Sequence, residues 1–250
     1  MARSLLVRGM LAGLAAGLVA FVVARVVGEG AVAQAIAFEG SQTAAHGDAG
    51  EPELVGRGIQ STVGLLTATL VYGVGIGGIF ALVFAGMSGR VGRFGARTLA
   101  GLLGLGGFVA VGLVPFLTYP PNPPAVGDAD TIGRRTALFL TTIAISVLVA
   151  VLAVVAGRRL GPVLGPWDAT IAAAVGYVVV MAVVAVLLPA VDEVGTEFPA
   201  STLYEFRVAS LAIQASVWAT LGVVFGALAE RLLAPRAERP SGVPIAGSAR

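Results

Sequence analysis

Six long apolar stretches separated by polar connections set the layout of this chain: Leu5 to Val27, Ile59 to Ala85, Thr98 to Thr118, Thr136 to Ala156, Ala169 to Leu188 and Val208 to Leu233. Each reaches the roughly 20 residues that a helix rising about 1.5 Å per residue needs to cross about 30 Å of hydrocarbon. None carries the polar stripe of a helix half exposed to water, and none alternates as a barrel strand does. The pattern predicts an all-α fold, a polytopic membrane bundle of six transmembrane helices. Residues 1–234 form the bundle, and residues 235–250, rich in Pro, Gly, Ser and Arg, read as a disordered tail.

Composition agrees. Of 250 residues, 57% are hydrophobic and only 12% charged, too few charges to coat a water-soluble globule. The mean hydropathy of +0.92 suits a chain solvated by lipid. A pI near 9.5 does not indicate nucleic acid, because the net charge is only +2 and the arginines sit between apolar runs. Lipid is the expected surrounding partner, and homo-oligomers are compatible with it. With no cysteine, disulfides, iron–sulfur clusters and thiolate zinc sites are excluded.

Charge in the connections sets an orientation, since cytoplasmic loops are enriched in basic residues. The N-terminus, the second and fourth connections and the C-terminus hold 11 of the 16 arginines, with Asp168, Glu230 and Glu238 as their only acids. The opposite connections, residues 28–58, 119–135 and 189–207, hold the other 11 acids. Both ends are therefore expected inside, in the cytoplasmic membrane. Arg3, Arg8 and Ala31-Val32-Ala33 imitate a secretory leader, but the apolar run exceeds the roughly 7–15 residues of such a leader. Cleavage there would leave five helices.

Glycines recur at spacings of three and four, as in Gly9, Gly13 and Gly17, Gly73 and Gly77, Gly101 and Gly104, and Gly222 and Gly226. Small residues let helix backbones approach in lipid, so close packing is expected, with a hinge at Gly75, Gly77 and Gly78 as the alternative. Pro115 and Pro189 read as terminators at the outer ends of the third and fifth helices. A division into two inverted halves of three helices fits the layout, without a convincing sequence match between them.

Candidate chemistry lies mostly outside. Glu39, His46, Asp48, Glu51 and Glu53 offer oxygen and imidazole ligands suited to a divalent cation, against the reading of a solvated acidic loop. The proline-rich connection from Tyr119 to Arg135 is stiffened by four prolines. In it, Asp128 and Asp130 read first as caps of the next helix with Arg134 and Arg135 as partners, and otherwise as substrate contacts. Glu39, His46, Asp128 and Asp130 are thus the candidate metal ligands. Within the helices, Arg25 is expected to snorkel or pair with Glu29. Arg57, Gln60 and Tyr72 on the second helix and Arg207 and Gln214 on the sixth form a candidate substrate path, or else bonds that hold helices together. No acid pair, catalytic triad, nucleophile elbow or nucleotide loop is present, so no enzyme is expected and the chain needs no cofactor.

These residues carry a resemblance. The Gly-rich first helix, Arg57-Gly58-Ile59-Gln60, the run Gly75 to Phe84, Pro115-Phe116, the loop Tyr119-Pro120-Pro121-Asn122-Pro123-Pro124 with Gly127-Asp128, Phe198-Pro199 and Phe206-Arg207 resemble the bacterial CbtA family. The proline loop is the most specific piece. The resemblance implies a cobalt transporter subunit of about five helices, carrying Co2+ for cobalamin synthesis beside a small His-bearing single-helix partner. That partner would matter chemically, because this chain has His46 as its one imidazole. The alternative is a non-conducting membrane scaffold or regulatory subunit.

Overall fold

The computed structural model describes residues 2–46, 55–124, 126–127, 130–191 and 193–234, the side chains of Ala45 and His46 excepted. Asp48, Glu51, Glu53, Asp128 and the 235–250 tail lie outside the described residues.

Six helices are long and apolar enough to cross a membrane: α1 (Ala2–Ala44), α2 (Arg57–Met87), α3 (Ala96–Thr118), α4 (Ile132–Leu164), α5 (Pro166–Leu187) and α6 (Ala200–Leu233). No strand occurs among the described residues. The outer side below denotes the side of the proline-rich connection, and the inner side the arginine-rich one.

The antiparallel α1–α2 pair is the tightest in the bundle. A Cβ on Gly9, Gly13 or Gly17 would lie 2.3, 2.1 or 2.5 Å from the carbonyl oxygens of Gly77, Gly73 and Thr69. Backbone therefore lies on backbone, which only glycine permits. Gly77 is thus a packing residue, whereas a Cβ on Gly75 would meet nothing within 4 Å and one on Gly78 only the Leu6 and Met10 side chains, which leaves the alternative hinge to those two. Helix α6 packs on α1 and α3, and Gly104 of α3 meets the Trp218 carbonyl and Gly222 of α6. Phe80, Phe84 and Phe225 join α2 to α6 through edge-to-face contacts with ring centroids 5.3 and 5.0 Å apart. Helices α4 and α5 form a separate hairpin, joined to the rest through the end of α3. Gly157 of α4 lies against Ala169 and Ala173 of α5, and Ser146 bonds Tyr177 at 2.8 Å.

Wide π-helical turns interrupt α1 at Ala24–Gly28, α2 at Gln60–Gly64, α3 at Phe108–Leu113 and α6 at Leu221–Phe225. The one in α3 changes the reading of Pro115. That proline does not end the helix, which continues to Thr118. Its ring lacks an amide donor and crowds the preceding turn, and the widened turn just before it relieves that conflict. Pro189 does follow a helix end, at Leu187.

Three helices run well beyond their expected limits, among them α6, which begins at Ala200 where Val208 was expected. Helical backbone in α1 continues through His46, where a loop from Gly28 was expected. Ala31, Ala35 and Phe38 recur at helical spacing, and Ala31 and Ala35 are fully buried. Phe38 stacks edge-on against Phe198 at 5.2 Å, so the extension packs on the chain leading into α6. Ala31-Val32-Ala33 lies inside this helix. Helix α4 likewise runs past both expected ends, carrying Arg134, Arg135, Arg158 and Arg159 on helical backbone.

Candidate functional site

The polar residues gather at the outer ends of the helices. Beyond the apolar part of α1, Thr202 donates to Gln34 Oε1 at 2.8 Å, and Gln42 reaches Glu197 at 3.5 Å. These contacts fasten the α1 extension to the start of α6. Glu39 is exposed on that extension.

The proline-rich connection is strapped across the opposite part of the outer face. Arg207 of α6 donates through Nε to the Pro121 carbonyl at 3.4 Å and through Nη2 to Asn122 Oδ1 at 3.2 Å. The buried Tyr119 hydroxyl donates to the Pro189 carbonyl at 2.8 Å, tying the strap to the end of α5. Burial pushes the Tyr119 phenol above its ordinary pKa of 10.0, and the charge of Arg134 opposes that only in part.

Glu193 organises the start of α4. Its carboxylate accepts from Thr131 Oγ1 at 2.5 Å and from Arg135 Nη1 at 3.2 Å, and its side chain is only 9% exposed. The residue at the N-terminal cap of α4 is Thr131, one position beyond Asp130. Gly127, at φ 126°, lies close enough that an added Cβ would stand 3.1 Å from Glu193 Oε2. A pocket of about 190 Å³ beside these groups is lined by Thr131, Arg134, Arg135 and Glu193. Sequence reasoning passed over Glu193 because its partners lie 58 and 62 positions away.

The five candidate path residues do not form one site. Arg57 pairs with Glu29 of α1, which replaces the expected local Arg25–Glu29 pair and leaves Arg25 exposed. Gln60 is exposed and donates to the Val55 carbonyl at 2.7 Å. Arg207 holds the strap. Tyr72 of α2 and Gln214 of α6 do come near one another within the apolar zone, with the Tyr72 side chain still partly exposed. Beside Gln214 lies Gly112, in the wide turn of α3. Of the candidate metal ligands, Glu39 and Asp130 are described and belong to separate outer segments. Among the described residues no three His, Cys, Asp or Glu side chains gather as a metal site would require.

A groove of about 620 Å³ opens between α3 and α6 and is lined by Gly101, Phe108, Trp218 and Gly222 among others. Its walls are almost wholly apolar and it holds none of the polar residues just described, so size does not make it the site of ion chemistry. Arg97, at its inner end, pairs with Glu230 at 2.6 Å.

Six membrane-length helices, glycine-packed and closed outside by a polar cap, define a multi-pass membrane protein. The family model described as probable cobalt transporter subunit (CbtA) matches residues 2–230, and the chain belongs to that family. No significant match was found among curated proteins or solved structures. The family description makes the chain one subunit of a transporter, so partner subunits are implied.

Proposed function

We propose that this chain is the membrane-spanning subunit of a divalent-cation permease of the cytoplasmic membrane, with cobalt(II) as its substrate. The approach of Tyr72 to Gln214 between α2 and α6 carries the reading. A phenol and an amide placed between helices at membrane depth are costly unless they face protein or water, and such groups mark substrate routes. The wide turn of α3 beside Gln214 adds backbone carbonyls to the same neighbourhood, oxygen ligands of the kind a hydrated divalent ion exchanges into. The polar cap above, with its acids, would concentrate the ion.

Cobalt uptake by cells lacking the gene and supplied with variants tests this. Gln214→Leu and Tyr72→Phe should lower uptake strongly while the protein reaches the membrane at normal abundance. Uptake unchanged in both would defeat the reading.

One observation favours the second reading, a non-conducting scaffold or regulatory subunit. The described residues hold no clustered metal ligands, so imidazoles for cobalt would come from elsewhere, as with a small His-bearing single-helix partner. Reconstituted vesicles separate the two. Flux needing both this chain and its partner, and lost in the Gln214 variant, supports a conducting subunit. Flux from the partner alone supports the scaffold.

A further inference from the structure

Glu29 and Arg57 meet at the outer ends of α1 and α2, and their pair is half made. Arg57 Nη2 donates to Glu29 Oε1, while Arg57 Nε is buried without a partner. No described residue bonds the second carboxylate oxygen. An arginine and a carboxylate are most stable when two parallel N–H donors meet both oxygens, and this geometry forgoes that arrangement. Of the two spare groups only Arg57 Nε is fully buried, the side chains being 19% exposed for Glu29 and 32% for Arg57. The pair thus keeps a spare donor that is costly to leave idle and a spare acceptor that an incoming ion can reach.

Position adds a second argument. Glu29 lies about 31 Å of helix beyond Arg8, at the outer boundary of the hydrocarbon. The wide turn Ala24–Gly28 directly precedes Glu29, and the wide turn Gln60–Gly64 begins just after Arg57. Deeper in the membrane the two helices are locked backbone to backbone by Gly9, Gly13 and Gly17. Movement of α1 against α2 is therefore confined to the segment carrying the ion pair, where looser helical turns allow it.

Resting on the permease reading above, we propose that Glu29 is the first carboxylate to take the transported divalent cation, with Arg57 as an exchangeable counter-charge that holds the site until the ion arrives. A doubly charged ion competes for the carboxylate against a singly charged, monodentate guanidinium. The displaced Arg57 stands at the first turn of α2 and reaches water or headgroups by extending its stem. Arginine then serves as the resident substitute that makes an empty carboxylate tolerable at this depth.

Uptake of radiolabelled cobalt(II) by cells lacking their own copy, expressing the full chain with its partner subunits, tests the exchange. Glu29→Gln should abolish saturable uptake. Arg57→Gln should act in the opposite sense and lower the half-saturating cobalt concentration about fivefold, the effect of removing a modest competing pair. The double variant Glu29→Gln, Arg57→Gln leaves no unpaired charge to impair folding. It should reach the membrane normally and still fail to transport. Wild-type uptake in the double variant, or an unchanged or raised half-saturating concentration in Arg57→Gln, would show a purely structural tie and overturn the proposal while leaving the permease intact. Absence of uptake by the wild-type chain itself would remove both.

Discussion

Gly13 of α1 and Gly73 of α2 face each other so closely that a Cβ on either would stand 2.1 or 2.3 Å from the other's carbonyl oxygen. Neither backbone can yield without separating the helices along their whole contact. Gly13→Ala or Gly73→Ala should therefore cost about 1–3 kcal/mol, the range for overpacking a tight interface. Thermal unfolding of the detergent-solubilised protein measures it. Gly75→Ala, where an added methyl meets nothing within 4 Å, should leave the midpoint unchanged or slightly raised.

The Arg207 contacts make a second test. Two bonds from one guanidinium hold the proline-rich strap to α6. Arg207→Ala should loosen the strap by about 2 kcal/mol, in line with hydrogen bonds from a charged donor. The absence of native cysteine makes the measurement clean. A single cysteine placed at Pro124, which is exposed, should react with a soluble maleimide several-fold faster in the Arg207→Ala background. Equal rates would mean that the prolines and the Tyr119–Pro189 tie hold the strap without Arg207.

Spans and packing glycines were legible because lipid imposes them locally: length, apolarity and small-residue spacing are properties of single helices. The α1 extension was missed for the converse reason. Residues 29–46 carry Glu29, Glu39 and several polar groups, and their small apolar face becomes meaningful only against Phe198 and Thr202, far away in sequence. The pairings of charged groups failed in the same way. Arg57 with Glu29 and Arg135 with Glu193 are tertiary contacts, whereas the expected Arg25–Glu29 pairing was merely close in the chain. Tyr72 and Gln214 were recognisable as candidate path residues because polar groups are conspicuous in apolar helices. Only the fold could show that they meet each other while Gln60 does not join them.

Alkaline pH should act on the strap through Tyr119. Its phenol titrates above the ordinary 10.0 because burial disfavours the phenolate. A raised folded pKa means that the folded state holds its proton longer than the unfolded chain, so stability falls as pH rises above about 10 and is unaffected below it. Ionisation also removes the hydroxyl that donates to the Pro189 carbonyl. Between pH 8 and 11, Tyr119→Phe should begin less stable than wild type by about 1 kcal/mol. It should then show a shallower alkaline decline in unfolding midpoint. Parallel curves would place the alkaline sensitivity elsewhere.

The α4–α5 hairpin depends on few polar contacts, so its strength can be isolated. Ser146 and Tyr177 share a hydrogen bond at 2.8 Å, and the Ser146 side chain is fully buried. Around them lie small residues and aliphatics, which in lipid gain little from association beyond close packing. Ser146→Ala and Tyr177→Phe each delete one partner while preserving shape. Interhelical bonds in membranes average about 0.6 kcal/mol by double-mutant cycle, because helices separated in the bilayer also find partners. Each single change should therefore cost about that much, and the double change little more than either alone. Steric trapping or equilibrium unfolding in mixed detergent measures the three variants. Additive losses would mean that the two groups act independently, and that Gly157 against Ala169 and Ala173 carries the hairpin without help from the hydroxyls.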